Sequence, residues 1–208
     1  MGYTGRTRQY LAINRGHSPI SAGFTLFELI ASLSIVAILG SLVGPTFLDT
    51  VDRNRQQSSL SSVFRMLGAA RSEAVNRQAT VVACASTDQA TCSGTAWESG
   101  WIVFVDDGAG GGTADDGSRH ADEDLVRIGQ PAGGTVTVRT RNFATAGTLR
   151  FGDVGFSEER GTIVVCNGDA SRASAIVLNL SGQARLAVDE NDNGSLNDDQ
   201  GGDISSCT

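Results

Sequence analysis

The sequence contains no lysine: all 16 of its basic residues are arginine, and it has only two histidines. One of these, His17, lies among the first 23 residues, and the other, His120, sits in a Gly/Asp stretch with no Cys or His beside it to make up a zinc set. There is no Gly-x-Ser-x-Gly elbow. Gly110-Gly111-Gly112 follows a strand-like stretch, but no helical pattern opens after it, so it reads as a solvated turn rather than a phosphate loop. These absences leave catalysis poorly supported, and neither an enzyme nor a cofactor is expected. Basic charge is also in deficit. Residues 24–208 hold 13 arginines against 23 acids, a net of −10, while residues 1–23 hold three arginines and no acid. Seven acids fall in 106–124 beside one arginine and six in 189–203 beside none, whereas 125–188 has seven arginines against four acids. An acidic whole argues against a general nucleic-acid binder but leaves room for one local basic patch.

What the chain does have is one long apolar run. From Phe24 to Leu48 the only charged side chain is Glu28. About 25 residues at about 1.5 Å each make a helix of about 37 Å, enough to cross the hydrocarbon core of a bilayer. Arg6, Arg8 and Arg15 precede it with no acid among them, a bias that keeps the N-terminus in the cytoplasm and sends the remainder outward. A carboxylate in such a helix costs roughly 2.5–3.5 kcal/mol at the bilayer centre and less near an interface, so Glu28 requires a partner or a purpose.

The four cysteines, Cys84, Cys92, Cys166 and Cys207, follow this export helix and form an even set, which reads as two disulfides in an oxidising compartment. Three connectivities are open. The favoured one joins Cys84 to Cys92 in a short loop and Cys166 to Cys207, tying the C-terminus back to a strand. Between them, 189–194 (Asp-Glu-Asn-Asp-Asn-Gly) matches the first half of a calcium loop, but Gln200 stands where the bidentate Glu belongs and no flanking helix is expected. An acidic connector to Cys207 is the preferred reading; a calcium loop using Asp189, Asn191, Asn193 and Asp198 is the alternative, and no metal site is assigned.

Periodicity divides the rest. Leu60, Val63, Phe64, Leu67, Ala70 and Ala74 recur at three- and four-residue steps, so one helix is expected from Phe24 to about Arg77, its second half amphipathic. Pro45 should kink or loosen it, and Gly40 and Gly44 have the small-xxx-small spacing of close helix contacts. From Thr80 the period becomes that of strands, expected at 80–85, 101–105, 125–128, 135–139, 148–151, 162–167, 175–180 and 184–188. They are rich in Val, Ile and Thr and separated by Gly, Asp, Asn and Ser; Ser181-Gly182 reads as a tight hairpin turn. Helix first and short strands after give an α+β domain with antiparallel sheets.

Gly23-Phe24-Thr25-Leu26-Phe27-Glu28-Leu29-Ile30 and the apolar run behind it resemble the processing site of type IV pilins and of the pseudopilins of type II secretion. That resemblance implies cleavage by a prepilin peptidase between Gly23 and Phe24, N-methylation of Phe24, and pairing of Glu28 with a terminal amine, its own or a neighbour's, as subunits enter a filament. Further along, Val82-Ala83-Cys84, Cys92, Trp97, the 100–106 stretch, the 160–167 stretch ending in Cys166-Asn167 and the 175–182 stretch ending in Ser181-Gly182 look like the GspH/FimT pseudopilins. The implied fold is type IV pilin-like: a long N-terminal helix, its first half membrane-embedded, packed on a C-terminal domain of two antiparallel β-sheets. The implied organisation is a cleaved cytoplasmic leader (1–23), a transmembrane or filament-core helix (24–48), its amphipathic continuation (49–78) and a periplasmic β-rich domain (79–208). The subunit would sit in the inner membrane as a single-pass protein and then at the tip of a pseudopilus or pilus. Its partners would be prepilin peptidase, inner-membrane lipid and other major and minor pilins or pseudopilins. FimT-type members are held to bind DNA through Gly-Arg-x-Arg on a C-terminal hairpin. Here the tetrad is Gly182-Gln183-Ala184-Arg185, which keeps Gly182 and Arg185 but has Gln183 for the first arginine. DNA binding is therefore the alternative function, and Arg172, Arg139, Arg141 or Arg150 would compensate for the lost phosphate contact if they share a face with Arg185.

Overall fold

A computed structural model describes residues 23–207, with side chains at all of these except 42–46. The expected leader, with Arg6, Arg8 and Arg15, lies outside the described residues apart from Gly23. The chain divides between Gly44 and Pro45 into two units. One helix, α1 (Leu26–Arg77), contributes to both, and the helical assignment runs through Pro45 without a break.

In the first unit α1 is apolar on every side. All ten large apolar side chains from Phe24 to Leu39 are at least 53 % exposed. Ser32, Ser34 and Ser41 donate their hydroxyls to the helix's own carbonyls, Ser32 to Glu28 at 2.6 Å, Ser34 to Ile30 at 2.8 Å and Ser41 to Ile38 at 2.8 Å. Their hydroxyls are thus satisfied within the helix itself. Among the described residues no helix is long and apolar enough to cross a membrane; the 24–48 stretch contains 42–46, whose side chains are not described.

The second unit holds eight strands: β1 (Val81–Ala85), β2 (Trp101–Val105), β3 (Leu125–Gly129), β4 (Thr137–Arg141), β5 (Thr148–Phe151), β6 (Gly161–Cys166), β7 (Ser174–Leu178) and β8 (Ala184–Leu186). They form two four-stranded antiparallel sheets, ordered β3-β2-β1-β5 and β4-β6-β7-β8. Leu60, Val63, Met66, Leu67, Ala70 and Ala74 of α1 enter one core with both sheets, meeting Val81, Ala83 and Val103 of the first and Ile163, Val165 and Ile176 of the second. Phe64, expected in this stripe, is 39 % exposed, and Met66 is buried in its place. The stripe is narrower than the sequence suggests: the 60, 63, 67, 70, 74 steps follow one line, and position 64 falls on its flank.

The central strands β1, β2 and β6 are buried at every position. Alternate side chains face α1, and the others face a second cover. On the first sheet Val82, Cys84, Ile102 and Phe104 pack with Cys92 and Leu125; on the second Val164, Cys166, Ala175 and Val177 pack with Ala187, Ile204, Leu196 and Cys207. A disulfide anchors each cover, Cys84–Cys92 and Cys166–Cys207, the pairing favoured from the sequence. A polar anchor the sequence did not reveal, Gln56, is 7 % exposed and donates from Nε2 to the carbonyls of Arg172 (2.7 Å) and Val165 (3.1 Å).

The two bridges close loops of very different length, with sequence separations of 41 for Cys166–Cys207 and 8 for Cys84–Cys92. Chain entropy alone predicts that Cys166→Ser with Cys207→Ser costs about 4 kcal/mol and Cys84→Ser with Cys92→Ser about 2.5 kcal/mol. Urea unfolding midpoints of the two double variants should fall in that order.

Candidate functional site

Two regions carry the residues singled out in the sequence. At the N-terminal end, Gly23, Phe24 and Thr25 precede α1, and Phe24 is 81 % exposed. Thr25 caps the helix: its Oγ1 accepts from the Glu28 N–H at 3.2 Å and its carbonyl accepts from the Leu29 N–H at 3.1 Å. Thr25-x-x-Glu28 therefore has the spacing of a capping box, a signal present in the sequence but overshadowed there by the question of the charge. Glu28 lies in the first turn, where the helix dipole favours a negative charge. Its carboxylate makes no ion pair among the described residues.

At the other end of the chain, the β7–β8 hairpin carries Gly182 and Arg185. Asn179 N–H donates to the Gln183 carbonyl at 3.1 Å, and Gly182 N–H donates to the Asn179 carbonyl at 3.0 Å. Gly182 has φ +72°, so the turn is the three-residue kind that ends in a left-handed residue. A Cβ on Gly182 would lie 2.1 Å from the Gly155 carbonyl oxygen, the same oxygen that accepts from Arg71 Nε at 3.1 Å. The glycine is thus required by a close approach between two turns beside α1. Arg71 and Gly155 escaped the sequence reading because nothing local marks a contact across 84 positions.

Arg185, opposite Val177 on β8, pairs with Glu190 at 3.2 Å. The four arginines that could have joined it are dispersed. Arg139 and Arg141 lie on β4 and Arg185 on β8, at opposite edges of the second sheet, and Arg150 lies on β5 at an edge of the first. Arg139 pairs with Glu98, Arg150 with Glu158 at 3.6 Å, and Arg172 with Asp49 at 2.8 Å; Arg141 donates to Ser206 Oγ at 3.0 Å. Arg139, Arg141 and Arg150 therefore do not extend the edge that carries Arg185, and Arg172 is engaged by Asp49 of α1.

Most carboxylates of the acidic segments that are held at all are held from within, but Asp106 Oδ1 and Asp199 Oδ2 are buried without a hydrogen-bond partner among the described residues. Asp189 accepts the N–H groups of Asn193 (3.2 Å) and Gly194 (2.7 Å), and Asp203 accepts the side-chain amides of Asn191, Asn193 and Asn197. In 106–124 the buried Glu123 accepts from the N–H groups of Gly108 and His120, and His120 bonds Asp116 at 3.0 Å, which raises the imidazole and lowers the Asp116 carboxyl. Burial pushes the Asp106 carboxyl up, against the pull of the Gly117 N–H. Among the described residues no three His, Cys, Asp or Glu side chains stand together to hold a metal ion.

Gly182→Ala should lower stability by at least about 2 kcal/mol, because it combines a left-handed backbone with a backbone clash. Gly194→Ala, also left-handed at φ +87° but with open space around it, should cost only about 1 kcal/mol. The difference between their urea midpoints measures the Gly155 contact.

No curated protein sequence gives a significant match to the chain. Among solved structures, the type IV minor pilin FimU of Pseudomonas aeruginosa PAO1 is similar at 22% identity and a TM-score of 0.51, over 67% of this chain and 92% of that one. The minor pseudopilin EpsH from the Vibrio cholerae type 2 secretion system is 13% identical with a TM-score of 0.44, over 64% of this chain and 95% of that one. The FimU likeness bears on the fold alone: a helix with two antiparallel sheets. The family model described as Type II transport protein GspH matches residues 60–182, from the buried stripe of α1 through the β7–β8 turn. That match spans more than half of the sequence, and the chain belongs to the GspH family of type II transport proteins.

Proposed function

We propose that the chain is a minor pilin or pseudopilin subunit that works by assembly, not catalysis. The observation that carries this reading is the exposed apolar half of α1. Burying a large apolar side chain contributes roughly 1.5–3 kcal/mol. Ten of them left in water would outweigh the net stability of an ordinary domain, about 5–15 kcal/mol. This segment therefore needs a cover, and the reading supplies two in succession: the inner membrane, crossed once with the C-terminal domain on the periplasmic side, and then the helices of neighbouring subunits in a filament.

In this reading prepilin peptidase cuts between Gly23 and Phe24, and Phe24 is N-methylated. Thr25 then becomes the second residue of the mature chain, with its cap on α1 intact. Glu28 is the single ionisable group of the segment, and a terminal amine is the cation that compensates it. The filament belongs to type II secretion or to a type IV pilus, with other pilins or pseudopilins as partners. The arginines named with Arg185 are paired, and three of them lie at the far edge of its sheet or on the other sheet, which gives DNA uptake less support than assembly.

Mass spectrometry of the mature protein should find an N-methylated Phe24 at the N-terminus; an intact Met1 would overturn the processing step. Glu28→Val should leave the protein in the membrane fraction but lower its recovery in sheared filaments. Removing one partner of a buried pair costs about 3–5 kcal/mol, so the loss should exceed about a hundredfold. Undiminished incorporation would remove the assembly role of Glu28.

A further inference from the structure

Of the 13 arginines in the described residues, eleven make a hydrogen bond or an ion pair, Arg160 only the looser ion pair to Asp199 at 3.8 Å. The other two, Arg65 and Arg127, have no hydrogen bond or ion pair among the described residues, and both are exposed. In a chain this rich in acid, unpaired arginines are the exception. These two come from distant parts of the sequence, one on α1 and one on β3, yet both line the same cleft, of about 460 Å³.

The charge on the cleft is of one sign, set in an otherwise neutral and partly apolar lining. Arg55 adds a third guanidinium, and no Asp or Glu lines it. Arg55 bonds Asp52 at 3.2 Å, a pair 47 % and 40 % exposed and therefore weak enough to exchange for a better partner. The α1 wall supplies Ser58, Ser59 and Ser62, hydroxyls that can donate to an oxygen anion. The opposite wall is a continuous run of lining residues from Arg127 to Gly133. This run begins in β3, which is an edge strand, paired to β2 on one side only. An edge strand offers a row of free backbone donors and acceptors.

We propose that this cleft binds an extended acidic segment of a partner polypeptide. The segment adds to the β3 edge through its backbone, and carboxylates on its α1-facing side meet Arg65 and Arg127. Charge decides for a short acidic peptide over a nucleic acid. A long polyanion would also meet the field of the seven acids in 106–124 and the six in 189–203. A segment with two or three carboxylates matches the cationic cleft without extending over those loops. Strand addition supplies affinity that nucleic acid cannot use. Arg65 also stands beside Leu186 of β8, but Arg185 does not line the cleft, and neither does the N-terminal segment. The test involves no filament, so either reading can fail without the other.

The cleft carries its own reporter, since Trp97 and Trp101, the only tryptophans in the sequence, both line it. The full-length protein in detergent is titrated with a synthetic peptide of alternating valine and glutamate, and tryptophan emission is followed. A saturable change is expected, weakened by salt. The double variant Arg65→Ala, Arg127→Ala should raise the Kd by about tenfold or more. Arg65→Lys with Arg127→Lys should recover most of that loss, and Arg185→Ala should change nothing. The same peptide with alternate backbone amides N-methylated keeps its charge and should bind at least about tenfold more weakly. Unchanged urea midpoints establish that the variants are folded. No saturable response, equal binding by the double alanine variant, equal binding of the N-methylated peptide, or tighter binding of a single-stranded oligonucleotide would each overturn the proposal.

Discussion

Burial of the central strands on both faces is the constraint on which the rest of the domain depends. Antiparallel sheets often leave one face to water, but β1, β2 and β6 are buried at every position. One face is closed by the α1 stripe from Leu60 to Ala74. The other must be closed by irregular chain, which has little cohesion of its own. The covering segments are held where they are needed by covalent bonds: Cys84 and Cys166 belong to strands on the outward faces, and each reaches into its cover to Cys92 or Cys207. The position of each cysteine in its strand, not merely the even count, is what makes the bridge effective.

Much of this was legible in the sequence, because it rests on local patterns. The eight strands fall within about two residues of the stretches rich in Val, Ile and Thr, and α1 ends at Arg77 where the three- and four-residue steps stop. The less legible features depend on contacts between distant residues. Phe64 fits the helical period yet lies on the flank, since whether a side chain is covered depends on how far the sheets reach around the helix. Gln56 looks like a surface residue until the Arg172 and Val165 carbonyls come within its reach. Gly182 looked like part of a recognition motif, and its immediate duty turns out to be steric. The capping of α1 by Thr25 is a local signal, Thr-x-x-Glu, in which Glu28 is both a charge and the third residue of the helix.

The two units show opposite electrostatic features. Among the described residues one carboxylate of the apolar segment has no cation beside it, and in the domain two arginines have no anion. Elsewhere the ionic groups largely neutralise one another or bond to the backbone, which is how an acidic domain keeps its loops ordered. Groups left without a partner in a single chain mark the places where another molecule can complete the structure.

Gln56 and Arg71 both belong to α1, and both bond to backbone carbonyls of the sheet domain, Gln56 at Val165 and Arg172 and Arg71 at Gly155. Fifteen residues of helix put them about 22 Å apart along the axis. Two such fastenings, with apolar packing between them, fix the axial position as well as the rotation of this part of the helix. Sliding by a single residue would break both at once. A pull along the helix axis is thereby shared between two distant points of the sheet domain, and the helix and sheets of this unit bear load as one rigid body.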